Sequence, residues 1–231
     1  SIVTDPPAGI NFMGRDWDNK GDLLNFQDFI YQVFLEAIRV LKPGGHALVW
    51  ALPRTAHHTA MGIERAGFEI RDKIYFVFGS GFPKSLNIGK AVDKLQGNKR
   101  ETVGTKRSGI ADGPFGSPEE SRKHIFITKG NSPYEGWGTA LKPAVEEWIL
   151  ARKPLSEKTV AKNVLKWGTG GLNIDGCRVG NEKHIVHGGG GQFTDNGKKT
   201  FLPIQTINEI RLGRFPSHLI LDGSEEVEKC F

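Results

Sequence analysis

A carboxylate followed by two prolines lies near the start of the chain, in the tetrad Asp5-Pro6-Pro7-Ala8. The side chain of Asp5 and the main-chain carbonyl of Pro6 are both hydrogen-bond acceptors, and together they can accept the two hydrogens of one amine. The proline rings fix φ and hold these acceptors rigidly, which lowers the entropic barrier of a reaction at that amine. The tetrad therefore predicts chemistry at an amine nitrogen.

An aromatic amine is a weak nucleophile because its lone pair is delocalised into the ring. Two acceptors that bind both amine hydrogens draw the nitrogen toward tetrahedral geometry and free the lone pair for attack on a sulfonium methyl group. Asp-Pro-Pro sequences also begin ordinary turns, so the tetrad taken alone leaves a purely structural interpretation open.

Strand and helix patterns alternate along the chain around the tetrad. The apolar run over residues 1–4 ends at Asp5, so the tetrad is expected in a loop directly after a strand. Residues 23–41 carry apolar side chains at helical spacing, and Lys42-Pro43-Gly44-Gly45 supplies the stop. Further strands are predicted at 47–52, 69–78, 146–151, 172–179 and 218–221, and further helices at 55–66 and 158–167. This alternation predicts an α/β fold with helices on the faces of a layered sheet.

The composition changes in the middle of the chain. Residues 97–138 are rich in Gly, Pro, Ser, Lys and Arg and show little periodicity, which predicts an inserted, flexible region. The predicted division is a catalytic core at 1–96, the insertion at 97–138, and remaining core strands and loops at 139–231. A run of four glycines from Gly188 predicts a second flexible loop over 187–199.

The overall composition is that of one globular domain. The chain has 231 residues, of which 38% are hydrophobic and 25% charged, which is sufficient for a core and unlike a disordered protein. It contains no run of about 18 apolar residues and no signal peptide, so we expect a cytoplasmic protein without a membrane partner. Cys177 and Cys230 lie outside any ligand spacing, so neither a disulfide framework nor a metal site is expected. The net charge of +5 permits a polyanionic partner without requiring one.

With these motifs the chain resembles amino-methyltransferases of the DNA N6-adenine and N4-cytosine class. The signature of that class is Asp, Asn or Ser followed by Pro-Pro and an aromatic residue. The resemblance continues through blocks at residues 5–18, 40–51, 78–84, 136–143, 172–178 and 213–216. It implies the partial Rossmann-like fold of a methyltransferase that uses S-adenosylmethionine as its methyl donor. The order of the motifs would be the permuted one, with the catalytic block first, as in the phage and bacterial branch.

The resemblance also implies a reaction and its residues. The methyl group of S-adenosylmethionine would pass to N6 of an adenine that is flipped out of double-stranded DNA, with Asp5, Pro6, Pro7 and Ala8 as the catalytic block. Asp at the first position resembles adenine-modifying members, and modification of cytosine N4 is the alternative. A homodimer is one of the oligomeric states that the sequence leaves open.

Ala8 departs from the family pattern, because an aromatic residue is expected there to stack on the flipped base. Another aromatic side chain would have to replace it. The candidates for this base pocket are Phe12, Trp17, Phe78 and Phe82. Packing in the core is the alternative role for each of them.

Basic residues in and beside the insertion are candidates for DNA contacts, since a target-recognition region must bind phosphates. They are Lys84, Lys99, Arg100, Lys106, Arg107 and Lys142. The alternative is a solvated loop whose acidic residues offset much of this charge, and for Lys142 a Lys-Pro turn that leads into a strand.

The resemblance further implies a Phe-x-Gly-x-Gly loop that encloses the methionine part of the cofactor, and no such run occurs here. We therefore expect a fragment that is inactive by itself, with the cofactor half beyond Phe231. Methylation of RNA or of a protein glutamine amide is a competing activity, but those enzymes carry Asn-Pro-Pro-Tyr and Asp5 counts against it. A module that holds DNA without modifying it is the remaining alternative.

Overall fold

The computed structural model describes residues 1–81, 83, 85–107, 124–187 and 208–229. The chain forms two compact units, one from Ser1–Gly79 with Val145–Phe231 and the other from Ser80–Ala144. The elements in chain order are β1 (Ile2–Thr4), α1 (Leu23–Val40), β2 (His46–Ala51), α2 (Ala56–Arg65), β3 (Glu69–Val77), α3 (Ile88–Gln96), β4 (Glu101–Arg107), β5 (His124–Lys129), β6 (Val145–Arg152), α4 (Val160–Trp167), β7 (Val179–His187), β8 (Asn208–Arg214), β9 (Leu219–Leu221) and α5 (Glu225–Glu228).

The first unit is built on a mixed five-stranded sheet in the order β1-β2-β6-β3-β9. Strand β1 pairs parallel with β2, and β3 pairs parallel with β9. Strand β6 pairs antiparallel with both β2 and β3. The other four strands therefore run in one direction, and the loops after β1, β2 and β3 emerge at the same edge of the sheet.

Helix α1 supplies the largest fully buried side chains of the core beside this sheet. Its side chains Phe26, Ile30 and Phe34 recur at helical spacing and are almost completely buried, in one cluster with β2 and β6 residues. The carboxylate of Asp22 caps the helix by accepting from the N–H of Asn25. A sheet covered by amphipathic helices confirms the predicted α/β fold class.

The second unit contains α3 and a β4–β5 hairpin. The guanidinium of Arg100 joins these elements, because it binds the carboxylate of Asp93 on α3, the carboxylate of Glu135 at 2.8 Å and the carbonyl of Thr128 at 2.9 Å. Asp93 is 1% exposed. An ion-pair network therefore organises the interior of this unit.

The helices predicted at 23–41, 55–66 and 158–167 correspond to α1, α2 and α4 within two residues at each end, whereas α3 and α5 were not predicted. The strands β1, β2, β3, β6 and β9 also lie within two residues of predicted strands, whereas β4, β5 and β8 were not predicted. The strand predicted at 172–179 is wrong, because a 3-10 turn occupies Asp175–Cys177 and β7 begins only at Val179. The predicted insertion contains regular structure, since β4 and β5 both fall inside 97–138. The compact unit at 80–144 extends beyond that insertion at both ends. The flexible loop predicted at 187–199 lies outside the described residues from 188 onward.

Among the described helices, none combines the length and the apolar character that are needed to cross a lipid bilayer.

Candidate active site

The tetrad lies directly after strand β1, at the edge of the sheet where the parallel strands end. Ligands of open α/β sheets bind at this edge, in crevices between the strand-end loops. Asp5 is exposed to solvent, whereas Pro6, Pro7 and Ala8 are half-buried. The carboxylate that the sequence singled out is thus accessible to a substrate, and the residues that follow it are supported by the protein.

A buried carboxylate holds the loop that follows the tetrad. Asp18 is 0% exposed. Its two oxygens accept from the N–H groups of Gly9 at 2.8 Å, Ile10 at 3.1 Å and Phe12 at 2.7 Å. Burial alone would raise the pKa of Asp18, but these main-chain donors outweigh it, and the pKa lies below its ordinary value. The loop is therefore shaped around an ionised side chain.

A second buried group holds the same loop from the β2–α2 connection. The hydroxyl of Thr55, a residue only 2% exposed, donates to the carbonyl oxygen of Ala8 at 2.7 Å. Thr55 immediately precedes α2, whereas Ala8 belongs to the loop after β1. This bond ties together two neighbouring strand-end loops.

Neither Asp18 nor Thr55 was among the predicted site residues. The sequence block at 5–18 includes Asp18, but a buried carboxylate whose partners are main-chain N–H groups leaves no spacing signal. Thr55 was predicted only as the start of a helix, and its contact with Ala8 spans 47 residues.

The predicted base-stacking aromatics occupy different environments. Trp17 is 56% exposed, and its ring centre lies 6.4 Å from that of the half-buried Phe12. Phe78 follows the end of β3, and its ring centre lies 5.8 Å from that of Phe76. The N–H of the next residue, Gly79, donates to the carboxylate of Asp222 at 2.9 Å. Phe12 and Trp17 are thus brought together beside the tetrad loop, and Phe82 lies outside the described residues.

A cavity of about 580 Å³ opens between the tetrad loop and the start of α1. Its lining residues are Gly9, Ile10, Asn11, Asn19, Lys20, Gly21, Asp22, Leu23 and Leu24. This groove is open to solvent, and amide and charged side chains line it together with apolar ones. Among the described residues, no group of three His, Cys, Asp or Glu side chains could hold a metal ion.

The predicted DNA-binding residues differ in their availability. The side chains of Lys99, Lys106 and Lys142 are exposed. That of Arg100 is 9% exposed and is engaged by Asp93 and Glu135, so we leave it out of the proposed phosphate contacts. The side chains of Lys84 and Arg107 lie outside the described part of the chain.

Comparison with known proteins gives a family. The profile of the N6/N4 methyltransferase family, described as DNA methylase, matches residues 1–168. A search of the curated proteins found no match.

Two solved structures are similar to parts of the chain. One is the M1.HpyAVI protein in complex with S-adenosylmethionine, at 14% identity and a TM-score of 0.29, over 66% of this chain and 43% of that one. The other is from Thermus thermophilus and carries the name DNA modification methylase, at 18% identity and a TM-score of 0.34, over 68% of this chain and 47% of that one. The present chain thus matches less than half the length of either protein.

Proposed function

This chain belongs to the DNA methylase family, and from that premise we propose that it supplies the catalytic residues of an S-adenosylmethionine-dependent DNA methyltransferase acting on N6 of adenine. The observation that carries the proposal is the position of Asp5 and Pro6. An exposed carboxylate followed by a rigid carbonyl stands at the carboxyl end of a parallel strand, in a loop held by buried polar groups.

The chemistry of the acceptor side follows from these residues. Asp5 and the Pro6 carbonyl accept the two hydrogens of the exocyclic amine, so that its lone pair is no longer delocalised into the base. Bound S-adenosylmethionine would supply the methyl carbon to which this nitrogen bonds, and the electron pair of the broken carbon–sulfur bond would remain on sulfur. The nitrogen then loses one proton, which the Asp5 carboxylate is placed to receive before solvent takes it.

S-adenosylmethionine is the methyl donor that this chemistry requires. The sequence lacks the Phe-x-Gly-x-Gly run expected around the methionine part of the donor. We therefore assign no described residue to the donor and derive only the acceptor half of the reaction from this chain.

Adenine is proposed over cytosine because the tetrad begins with Asp. The resemblance associates Asp with N6-adenine modification and Ser more with N4-cytosine modification. Both acceptors are exocyclic amines with two hydrogens, so the same pair of oxygens could serve either base. The identity of the product therefore has to be measured.

Double-stranded DNA as the substrate is supported by the surface of the second unit. Its exposed cations are Lys90, Lys94, Lys99, Lys106, Lys129 and Lys142. Two of its three described acidic residues, Asp93 and Glu135, are paired internally with Arg100. The remaining charge on the described surface of this unit is strongly positive, as phosphate binding requires, and we propose that this unit recognises the target.

The test is the modified base itself. The whole protein would be expressed in cells that lack adenine and cytosine methylases, and their DNA would be digested to nucleosides and analysed by mass spectrometry. N6-methyladenine that disappears in the Asp5→Ala variant is the expected result. N4-methylcytosine as the sole product would overturn the choice of base, and unmodified DNA would favour a module that binds DNA without modifying it.

A further inference from the structure

One peptide unit beside the tetrad is held from both sides by buried side chains. The carbonyl of Ala8 and the N–H of Gly9 belong to the same planar peptide group and point in opposite directions. Thr55 donates to that carbonyl at 2.7 Å, and Asp18 accepts from that N–H at 2.8 Å. We call Asp18 and Thr55 the loop clamp.

The carboxylate of Asp18 in the loop clamp accepts its hydrogen bonds from main-chain N–H groups. Removing a carboxylate from water is costly unless hydrogen bonds replace its hydration. Among the described residues no basic side chain pairs with Asp18, and its charge is met by the N–H groups of Gly9, Ile10 and Phe12. This carboxylate therefore stabilises one particular shape of the loop.

Thr55, the other residue of the loop clamp, does not cap the helix that follows it. A threonine at the position before a helix normally accepts a hydrogen bond from the first turn of that helix. Thr55 occupies this position before α2 but makes no capping bond with its side chain. Its hydroxyl donates to Ala8 at 2.7 Å and approaches the carbonyl of Leu52 in its own turn only at 3.5 Å, so its short hydrogen bond serves the neighbouring loop.

The held peptide is separated from the Pro6 carbonyl by a short and stiff stretch of chain. The ring of Pro7 fixes one of the intervening dihedral angles, so the orientation of the Ala8–Gly9 peptide limits the direction of the acceptors before it. We propose that Asp18 and Thr55 are positioning residues, which set the direction of the Pro6 carbonyl toward the second amine hydrogen. This inference rests on the proposed methyl transfer.

Loss of either positioning residue is expected to slow the chemical step, the transfer of the methyl group. Small misplacements of a catalytic acceptor reduce the rate by about 10-fold to 100-fold. Binding of DNA uses other surfaces and should be unchanged. A residue that only stabilised the fold would lower thermal stability and the amount of active protein, and would not change the rate per active molecule.

Thr55→Val and Thr55→Ser form a matched pair, because valine keeps the shape of threonine without the hydroxyl and serine keeps the hydroxyl. Asp18→Asn provides an independent variant. Gly9 uses one oxygen of Asp18 while Ile10 and Phe12 use the other, so an asparagine loses at least one of these bonds.

The experiment uses the whole protein with unmethylated bacteriophage DNA and S-adenosylmethionine that carries a tritiated methyl group. Single-turnover rates, the Kd for DNA and the melting temperature are measured for the wild type and the three variants. Thr55→Val and Asp18→Asn should slow methyl transfer by about 10-fold or more, at an unchanged Kd for DNA. Thr55→Ser should restore a rate within about twofold of the wild type.

An active wild type with Thr55→Val and Asp18→Asn variants at the wild-type rate would overturn the positioning role alone. So would variants whose loss of rate is fully accounted for by unfolded protein. A wild type that transfers no methyl group would overturn the proposed function, and the positioning role with it.

Discussion

The ring of Phe26 occupies the space that a Cβ atom on Gly9 would need. An ideal Cβ at this position would lie 2.5 Å from the ring, and Gly9 has a φ of +68°. The loop after the tetrad can therefore approach α1 closely only because residue 9 has no side chain.

Gly9→Ala should destabilise the first unit. The left-handed backbone conformation costs an alanine about 1–2 kcal/mol, and forcing a methyl group against Phe26 adds about 1–3 kcal/mol. Urea denaturation measures the sum. Gly14→Ala is the matched control, because Gly14 lies in the same loop at φ +67° with nothing near its Cβ position. Equal losses of stability in the two variants would show that the contact with Phe26 is unimportant.

The stability that Asp18 contributes should depend on pH. Its pKa in the folded protein is lowered, because the N–H groups of Phe12, Gly9 and Ile10 outweigh the effect of burial. A lowered folded-state pKa contributes stability above the unfolded-state pKa of about 3.9, and this contribution is lost as the pH falls through the folded value. The difference in unfolding free energy between wild type and Asp18→Asn should therefore be constant from pH 7 to about pH 5 and narrow below about pH 4.

Urea titrations at several pH values check this difference. Asp16→Asn, at an exposed position of the same loop, should show a small difference at every pH. A gap between wild type and Asp18→Asn that widens on acidification would mean that the buried carboxylate is not ionised in the native state.

Asp5→Ala should abolish methyl transfer and leave DNA binding nearly intact. Asp5 is exposed. In the proposed reaction it acts on the amine rather than on phosphates, so its removal would eliminate an acceptor of the transition state. A loss of about 100-fold or more in the single-turnover rate is expected, at an unchanged Kd for DNA. If DNA binding fell in parallel with activity, Asp5 would be a structural residue.

The sequence predicts an element most directly where buried apolar residues recur at a regular spacing. Helix α1 was predictable because its buried face recurs at Phe26, Ile30 and Phe34. The hairpin β4–β5 was not, because its described side chains are largely exposed and burial imposes no alternation on them. The segment at 172–179 contains apolar residues, but its middle is a turn in which the N–H of Gly176 donates to the side chain of Asn173.

In the candidate site, too, local features could be proposed from the sequence and contacts between distant residues could not. Asp5 and the prolines could be proposed from the sequence, because the chemistry expected of them is local to four residues. The loop clamp could not be predicted, since the bond from Thr55 to Ala8 exists only once β1 and β2 lie side by side in the sheet.

Arg100→Ala should destabilise the second unit, whereas Lys99→Ala should weaken DNA binding. Loss of the guanidinium leaves the buried carboxylate of Asp93 without its cationic partner, which should lower the free energy of unfolding. Lys99 is exposed, so its substitution should cost less than about 0.5 kcal/mol of stability. If Lys99 contacts a phosphate, its removal should reduce the slope of log affinity against log salt by about 1.

Urea denaturation and DNA titrations at several salt concentrations separate these effects. An Arg100→Ala protein that is as stable as the wild type but binds DNA more weakly would mean that Arg100 contacts DNA.

Trp17→Ala should weaken capture of the target adenine by about 1–3 kcal/mol, the contribution of stacking one base on an aromatic ring. A base that leaves the DNA stack must regain a few kcal/mol in its pocket, and Ala8 offers no ring for this. Trp17 is 56% exposed beside the tetrad loop, so its face is available to a purine.

A fluorescent adenine analogue at the target position would report capture of the base directly. Met13→Ala is the control, because Met13 is 78% exposed in the same loop but has no ring to stack. Ala8→Tyr should be tolerated only if the Trp17 ring moves aside, and in a Trp17→Ala background the tyrosine should restore part of the lost capture. Unchanged capture in Trp17→Ala would direct the search to Phe12 and Phe78, since the missing stacking energy must come from another aromatic side chain.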